Sequence, residues 1–381
     1  MSSHLRRVTE SPLVQIATLA ESMPGSIKLC YGESDMVTPG FICRAADEAA
    51  RAGHTFYTHT AGCPELRSAI ATKIHELHGV SYRSSEIMAT VGGTLAIYAA
   101  IRACVGSGDN AVVITPAYAI YANALIMAGA EARQVPLARD GDRFALDLDL
   151  VSAAIDSNTR MLIVNSPSNP TGWMMTETEQ RALAELAERH NLIILADEVY
   201  ERLTFDRDIA PSMARVIDDK NRLIVINSFS KTYNMTGWRL GWAQSSETII
   251  RTMFKAAEFI TSNPTAMVQQ AGIVALRDGE PFVREQRAHL AQRRAQVVAS
   301  LGQRPGVSLA SIQGAFYAFV KLDAAKDSSA FCLALLKDTG LALAPGSCFG
   351  AGGEGWVRIC FASSEKTMTD GLQRLRTFIE R

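Results

Sequence analysis

The chain has 381 residues, which is more than one hydrophobic core usually organises, so we expect two domains, one of them discontinuous. Its 48% hydrophobic and 20% charged residues are ordinary for a soluble globular enzyme. The formal net charge of −1 provides no field that would attract nucleic acid or an anionic membrane, so neither is an expected partner.

The cysteines are scattered along the chain without a C-x-x-C pair, at Cys30, Cys43, Cys63, Cys104, Cys332, Cys348 and Cys360. This odd, unclustered set favours free thiols in a reducing compartment over a disulfide framework or a zinc site. The first ten residues are not followed by an apolar signal core, and no apolar run reaches membrane-spanning length. We therefore expect a cytoplasmic protein without a bound metal.

The first 40 residues are predicted to form an arm that leads into the candidate site. Apolar residues at helical spacing predict a short helix over residues 13–20. A strand-like segment at Ile27–Tyr31 follows, and then a loop at Gly32–Asp35. Pro64 is predicted to lie in the first turn of the next helix, where its fixed φ is compatible with helical geometry.

From about residue 85 to residue 275, short apolar strands alternate with amphipathic helices. The predicted helices include Thr94–Val105 and Thr178–His190. The predicted strands are Ile87–Val91, Ala111–Thr115, Met161–Asn165, Leu192–Asp197 and Leu223–Asn227. Such alternation indicates an α/β domain with a mainly parallel sheet. Ligands of these sheets collect at the carboxyl ends of the strands, so polar residues at those ends are the candidate functional residues.

The last hundred residues differ in character and predict a smaller α+β domain. Its predicted elements are a charged helix at Pro281–Leu301, a strand at Ala315–Val320, a helix at Ser328–Thr339, and a strand at Trp356–Phe361. We expect residues 1–45 to form the arm and part of the small domain. Residues 46–276 would form the large domain, and residues 277–381 the small C-terminal domain.

The segment Arg222–Trp242, RLIVINSFSKTYNMTGWRLGW, carries the strongest chemical signal. Leu223–Ile226 is typical of a buried strand, and Lys231 follows just beyond the carboxyl end of that strand. A lysine in such a place can keep a lowered pKa, act as an amine nucleophile and form a Schiff base. Arg239 follows, and its planar set of donors suits a phosphate. An isolated pair of this kind is more often a surface lysine and arginine beside a turn.

The longer string S-F-S-K-x-x-x-M-T-G-W-R-L-G resembles the lysine region of the class I and II aminotransferases, and similarity extends from about Ile27 to Ala362. The resemblance implies fold type I, a large domain with a mainly parallel central sheet flanked by helices plus a smaller α+β domain. It also implies pyridoxal 5′-phosphate as cofactor, with Lys231 as the Schiff-base lysine and proton shuttle.

Two further strings resemble cofactor-binding motifs of this family. A carboxylate at a strand end, as at Asp197, can pair with a protonated pyridine nitrogen, although alone it would equally suit a helix cap or a metal ligand. The family's D-E-x-Y motif implies that Asp197 holds the pyridinium and that Tyr200 donates to the phenolate oxygen. The string N-S-P-S-N-P-T-G implies that Asn169 contacts that oxygen and the substrate carboxylate.

Glycines between a strand and a helix, as at residues 92–93, let backbone amides reach an anion. This signal is weak alone, but the resemblance assigns phosphate binding to Gly93, Thr94, Ser228 and Arg239. It also assigns Tyr118 to stacking on the pyridine ring. Tyr121 is a competitor for that role, and either tyrosine could be an ordinary core residue.

An arginine inside an apolar strand is costly unless it is paired, which favours a binding role for Arg358. The family's V-R-x-x-[FY]-A motif implies that Arg358 grips the substrate's α-carboxylate and that Gly32 lies close to it. Tyr57 matches the tyrosine that reaches the phosphate of the neighbouring subunit. The resemblance therefore implies a homodimer with shared active sites.

The departures from the family pattern concern substrate choice. Thr94 stands where some related sequences have a lysine, and Glu33-Ser34-Asp35 replaces the commoner E-P-D. Members specific for dicarboxylates need a second cation, which no residue clearly supplies. A neutral or aromatic amino donor is therefore slightly favoured over aspartate.

The resemblance implies amino transfer from an L-amino acid to a 2-oxo acid, with 2-oxoglutarate as the expected acceptor, by a ping-pong mechanism. A C–S β-lyase or related elimination enzyme would use the same residues and is the alternative. A non-catalytic cofactor-binding regulator is disfavoured, because Lys231 is present and no DNA-binding segment is appended.

Overall fold

The computed structural model describes residues 5–8 and 11–380. Its α-helices are α1 (Pro12–Ser22), α2 (Gly40–Arg51), α3 (Pro64–His78), α4 (Gly92–Cys104), α5 (Ile120–Ala128), α6 (Leu148–Ala153), α7 (Glu177–Arg189), α8 (Phe229–Thr232), α9 (Glu247–Thr261), α10 (Ala266–Asp278), α11 (Glu280–Leu301), α12 (Ser328–Thr339) and α13 (Glu365–Ile379). Its strands are β1 (Ile27–Lys28), β2 (Ile87–Thr90), β3 (Asn110–Thr115), β4 (Glu131–Pro136), β5 (Ala138–Asp140), β6 (Arg143–Ala145), β7 (Thr159–Asn165), β8 (Ile193–Asp197), β9 (Leu223–Ser228), β10 (Gly241–Gln244), β11 (Val307–Leu309), β12 (Tyr317–Leu322), β13 (Leu341–Ala342), β14 (Ala344–Pro345) and β15 (Trp356–Cys360).

The central sheet has seven strands in the order β2-β10-β9-β8-β7-β3-β4. The strands from β9 to β4 in this order are mutually parallel, whereas β10 runs antiparallel to both β2 and β9. The mainly parallel α/β sheet predicted from the sequence is therefore confirmed. Two strands of this sheet were not predicted: β10 is only four residues long and begins with a glycine, and β4 is a polar strand at the exposed edge.

Both faces of this sheet are buried. In β9, the side chains of Leu223 and Val225 join one core cluster, while those of Ile224 and Ile226 join the other. Successive side chains of a strand point to opposite faces, so a strand covered on both sides must be apolar at every position. This requirement explains the continuous apolar runs from which these strands were predicted.

A second sheet is antiparallel throughout, in the order β11-β12-β15-β14. β1 pairs in parallel with β13, which fastens the N-terminal arm to the C-terminal part of the chain. The seven-stranded sheet lies within residues 87–244 and the four-stranded sheet within residues 307–360. The domain boundaries drawn from the sequence stay a prediction.

Among residues 5–8 and 11–380, no helix is both long enough and apolar enough to cross a membrane.

Candidate active site

The carboxyl ends of three adjacent strands form the floor of a cavity of about 320 Å³. Asn165, at the end of β7, is directly opposite Asp197, at the end of β8, and Asp197 is opposite Ile226 of β9. The edge of the sheet therefore brings together polar residues that lie far apart in the sequence, as the alternating pattern predicts.

All but one of the predicted site residues line this cavity, namely Gly32, Gly93, Thr94, Tyr118, Asn169, Asp197, Tyr200, Ser228, Lys231, Arg239 and Arg358. The exception is Tyr57, which is 89% exposed and is not among the residues that line the cavity. A single chain thus assembles the site without the residue that the sequence assigned to a neighbouring subunit.

Lys231 lies on the short helix α8, which begins where β9 ends. Ser228 caps this helix, because its side chain accepts a hydrogen bond from the amide of Ser230. The Nζ atom of Lys231 donates to the carbonyl oxygen of Gly32 at 2.5 Å. Burial lowers the pKa of Lys231 to about 8, since a charged amine loses its hydration in the cavity. A large neutral fraction near physiological pH makes this amine a competent nucleophile and base.

Asp197 is a buried carboxylate whose hydrogen-bond partners are neutral. It accepts from the hydroxyl of Tyr121 at 2.6 Å and from the amide of Val199 at 3.2 Å. Burial raises the pKa of Asp197 to about 6, although these two hydrogen bonds act in the opposite direction. A cation placed beside this carboxylate in the cavity would stabilise its charged form.

The two tyrosines that competed for the stacking role occupy different positions. Tyr121 is buried, with its hydroxyl against Asp197, whereas Tyr118 is 45% exposed at the cavity. Their rings meet edge to face at a centroid separation of 6.4 Å. Tyr118 thus has a free ring surface, and Tyr121 supports the carboxylate, a role that the sequence did not indicate.

Arg358 is a buried cation with neutral partners. Its Nη1 donates to Oδ1 of Asn169 at 2.9 Å, and its Nη2 donates to the carbonyl oxygen of Cys30 at 2.5 Å. Within the described part of the chain, its buried Nε has no hydrogen-bond partner. The ring of Tyr317 lies 4.6 Å from the guanidinium carbon. A buried charge that faces only neutral acceptors favours an anionic ligand at this position.

Asn165 fixes the loop that presents Asn169. Its side-chain amide donates to the carbonyl oxygen of Asp197 at 2.9 Å, and its Oδ1 accepts from the amide of Asn169 at 2.7 Å. The peptide bond between Asn169 and Pro170 is cis, as are those before Pro116 and Pro167. Asn165 is the first residue of the string N-S-P-S-N-P-T-G, but the sequence alone did not indicate this role for it.

One corner of the cavity is built for an anion. The N-terminus of α4 begins with Gly92 at a φ of 77°, where a Cβ atom would come within 2.5 Å of Nη2 of Arg239. Arg239 itself has a φ of 55°, a left-handed conformation that is uncommon for a side-chain-bearing residue. Gly93 packs beside Ser228. Helix amides, a hydroxyl and a guanidinium therefore share one corner, as phosphate binding requires.

Tyr317 is a site residue that the sequence analysis missed. Its hydroxyl lies 2.8 Å from the hydroxyl of Tyr200, and a Cβ atom at Gly32 would come within 2.7 Å of it. Burial, reinforced by Tyr317, holds the pKa of Tyr200 well above its ordinary value, so Tyr200 keeps its proton. The available signal was a tyrosine within an otherwise apolar strand, since a buried hydroxyl needs a partner.

Comparison with known proteins places this geometry in a family. Residues 24–375 match the family model of aminotransferase class I and II. The chain is 32% identical over 392 residues to an aspartate aminotransferase of Bacillus subtilis (strain 168), covering 100% of this chain and 99% of the relative. It is 33% identical over 384 residues to aromatic-amino-acid aminotransferase 2 of Thermococcus litoralis, covering 100% and 98%.

A solved structure shows the same architecture. The N-succinyldiaminopimelate aminotransferase from Mycobacterium tuberculosis superposes with a TM-score of 0.94 at 33% sequence identity, and the match covers 99% of both chains. The family model, the two relatives and the solved structure are all aminotransferases, and their fold is the one expected from the sequence. The chain belongs to the class I and II aminotransferases, enzymes of fold type I that use pyridoxal 5′-phosphate.

Proposed function

We propose that this aminotransferase moves the amino group of an L-amino acid to a 2-oxo acid, with 2-oxoglutarate as acceptor, in a ping-pong cycle. The observation that carries the proposal is the set of charged groups around one cavity. A lysine of lowered pKa, a buried carboxylate with neutral partners and two arginines face the same space: Lys231, Asp197, Arg239 and Arg358.

The residues of the cavity fit pyridoxal 5′-phosphate. Lys231 would hold the cofactor through the lysine amine, and Asp197 would pair with the pyridine nitrogen. The phosphate would bind at the corner where Gly92 lets Arg239 approach the N-terminus of α4 closely. The other proposed contacts are the ring of Tyr118 and the polar side chains of Tyr200, Asn169, Thr94 and Ser228. When bound, the cofactor supplies an electron sink for the electron pair left on the substrate's Cα.

The protein's own groups would then bind the substrate and move its proton. Arg358 would grip the α-carboxylate with two parallel hydrogen bonds, and Asn169, already bonded to Arg358, would orient the same group. The Nζ atom of Lys231 would take the proton from Cα and give it back later as an acid. The hydrogen bond from this amine to the carbonyl oxygen of Gly32 supports the role, because Gly32 is the arm residue that would lie close to the substrate carboxylate.

We propose a neutral or aromatic side chain for the amino donor. Three cations line the described cavity, and the roles above use all three: Lys231, Arg239 and Arg358. The remaining wall includes Leu13, Ile97 and Tyr118, which are apolar or aromatic. The relatives do not decide the matter, because one is named for aspartate and another for aromatic amino acids. A kcat/KM that is highest for aspartate would refute this preference.

The C–S β-lyase alternative has no comparable support. The relatives described above carry the names of aminotransferases, and the family model does as well. A non-catalytic regulator is likewise not favoured.

The free state of all seven cysteines supports our proposal that the enzyme works in the cytoplasm. Cell fractionation that recovered it in an oxidising compartment would refute this.

The first prediction concerns the amine of Lys231. Because the pKa of Lys231 is lowered to about 8, the rate at which the apoenzyme takes up the cofactor should rise with pH and level off just above that value. The rate is measured from the growth of visible absorbance after mixing. Lys231→Ala, the control, should show no covalent uptake and should lose turnover by more than about 10³-fold. A midpoint near pH 10, or an active Lys231→Ala variant, would contradict the assignment.

The second prediction separates the two arginines by a matched substitution. Arg358→Lys and Arg239→Lys both keep the charge but lose the planar pair of donors. Arg358→Lys should raise KM for the amino acid and the 2-oxo acid roughly tenfold or more and leave cofactor affinity unchanged. Arg239→Lys should weaken cofactor binding by a similar factor and leave KM nearly unchanged. Steady-state kinetics and equilibrium dialysis test both, and an exchange of the two patterns would reverse the assignments.

The third prediction concerns the homodimer that we propose. Tyr57 and its neighbour Phe56 are 89% and 83% exposed in one chain, as expected for residues that enter a subunit contact. Sedimentation should give twice the 41.3 kDa of one chain. Tyr57→Phe should weaken cofactor binding about tenfold through loss of one hydrogen bond to phosphate, with unchanged thermal stability of the apoenzyme. A monomer, or unchanged cofactor affinity, would argue against shared active sites.

A further inference from the structure

Behind the anion-binding corner lies a buried chain of polar groups that does not line the cavity. It starts at His78, the last residue of α3, and passes through Glu201 to Asn227. Asn227 immediately precedes Ser228, which caps the helix carrying Lys231. The exposed fractions of Glu201 and Asn227 are 7% and 3%. The chain of groups therefore links α3 to the turn that forms the site.

The hydrogen bonds in this chain are short and continuous. Nε2 of His78 lies 2.8 Å from Oε2 of Glu201, and the side-chain amide of Asn227 donates to Oε1 of Glu201 at 2.7 Å. Oδ1 of Asn227 accepts from the backbone amide of Ser228 at 2.8 Å. Each oxygen of the Glu201 carboxylate thus has its own partner. One of these partners, Asn227, also accepts the hydrogen bond from the backbone amide of Ser228.

The hydrogen bond to Glu201 determines which way the side chain of Asn227 points. A carboxylate accepts hydrogen bonds only, so the NH₂ group of Asn227 must face it and Oδ1 must face the amide of Ser228. Burial alone would lower the pKa of His78, but the nearby carboxylates of Glu201 and Glu198 together raise it above its ordinary value. A protonated His78 donates to Oε2 of Glu201, which leaves Oε1 to accept from the NH₂ group of Asn227.

The turn that Asn227 holds is the one that presents the anion-binding groups. Oγ of Ser228 is bonded to Ser230 and to the carbonyl oxygen of Leu240. Asn227 also pairs with Trp242 of β10, the strand that follows Arg239. A rotation of the Ser228 amide would therefore shift the hydroxyl of Ser228 against Gly93 and Arg239.

We propose that Glu201 is a positioning residue for cofactor binding, which holds Asn227 so that the turn at Ser228 stays in its phosphate-binding geometry. This inference rests on the proposed function, in which that corner binds the cofactor's phosphate. Glu201 acts through Asn227 and touches neither cofactor nor substrate.

The test compares two ligands that differ only in the phosphate, pyridoxal 5′-phosphate and pyridoxal. Their dissociation constants are measured by equilibrium dialysis with the full-length apoenzyme. Glu201→Ala should reduce the preference for the phosphorylated ligand about tenfold, because loss of an ordered hydrogen bond to the turn weakens phosphate binding specifically. Pyridoxal itself should bind almost as before. An unchanged preference in Glu201→Ala would overturn the inference.

Glu198→Ala is the matched control. Glu198 is also buried, at 3% exposure, but its carboxylate accepts from the amide of Met213 at 2.8 Å instead of from Asn227. Both variants lose a buried carboxylate, so both lose stability, and only Glu201→Ala should lose the preference for phosphate. An equal loss in Glu198→Ala would show that the effect is general and would overturn the inference.

Asn227→Ala provides a second route that leaves the pair of His78 and Glu201 intact, in case Glu201→Ala does not fold. It should lose the same preference, and the double variant should lose no more than either single variant, because the two residues act in series. Additive losses would contradict this. A wild-type apoenzyme without any preference for the phosphorylated ligand would instead contradict the proposed function, so the two failures are distinguishable.

Discussion

The central physical constraint on this site is the burial of charged groups in one cavity, where their hydrogen-bond partners within the chain are neutral. Asp197 and Arg358 are 4% and 2% exposed, and both face neutral partners. Burying a charge in this way costs several kcal/mol unless a counter-charge or hydrogen bonds compensate for it. Ligands of opposite charge would supply that compensation, and this supports the proposal that Asp197 pairs with the cationic ring nitrogen of the cofactor and Arg358 with the anionic carboxylate of the substrate.

The sheet makes this arrangement possible. Parallel strands end at one edge, so the ends of β7, β8 and β9 bring Asn165, Asp197 and Ser228 to one cavity although 63 positions separate the first from the last (228 − 165). Glycines then allow close approach, since a side chain at Gly92 would collide with Arg239 and one at Gly32 with Tyr317. The four-stranded sheet supplies Arg358 and Tyr317, so both sheets contribute to the site.

Much of this could be predicted from the sequence, and the limits have physical causes. Continuous apolar runs predicted five of the seven strands of the central sheet. The motifs that resemble those of the family, the lysine region among them, identified eleven of the residues that line the cavity. Short or polar strands such as β10 and β4 carry no such signal. Tyr317 was missed as a site residue because its partner Tyr200 is distant in sequence. Tyr121 was considered for stacking on the pyridine ring but not as the partner of Asp197, for the same reason. A role for Tyr57 would depend on a second subunit, because this residue is exposed and is not among those that line the cavity of its own chain.

The most direct test of amino transfer is the visible absorption of the cofactor-bound enzyme during addition of single amino acids without a 2-oxo acid. We expect the absorption band to disappear as one equivalent of 2-oxo acid forms per site, and to return when 2-oxoglutarate is added. A band that persists while pyruvate and ammonia are released continuously would contradict amino transfer and would identify an elimination enzyme.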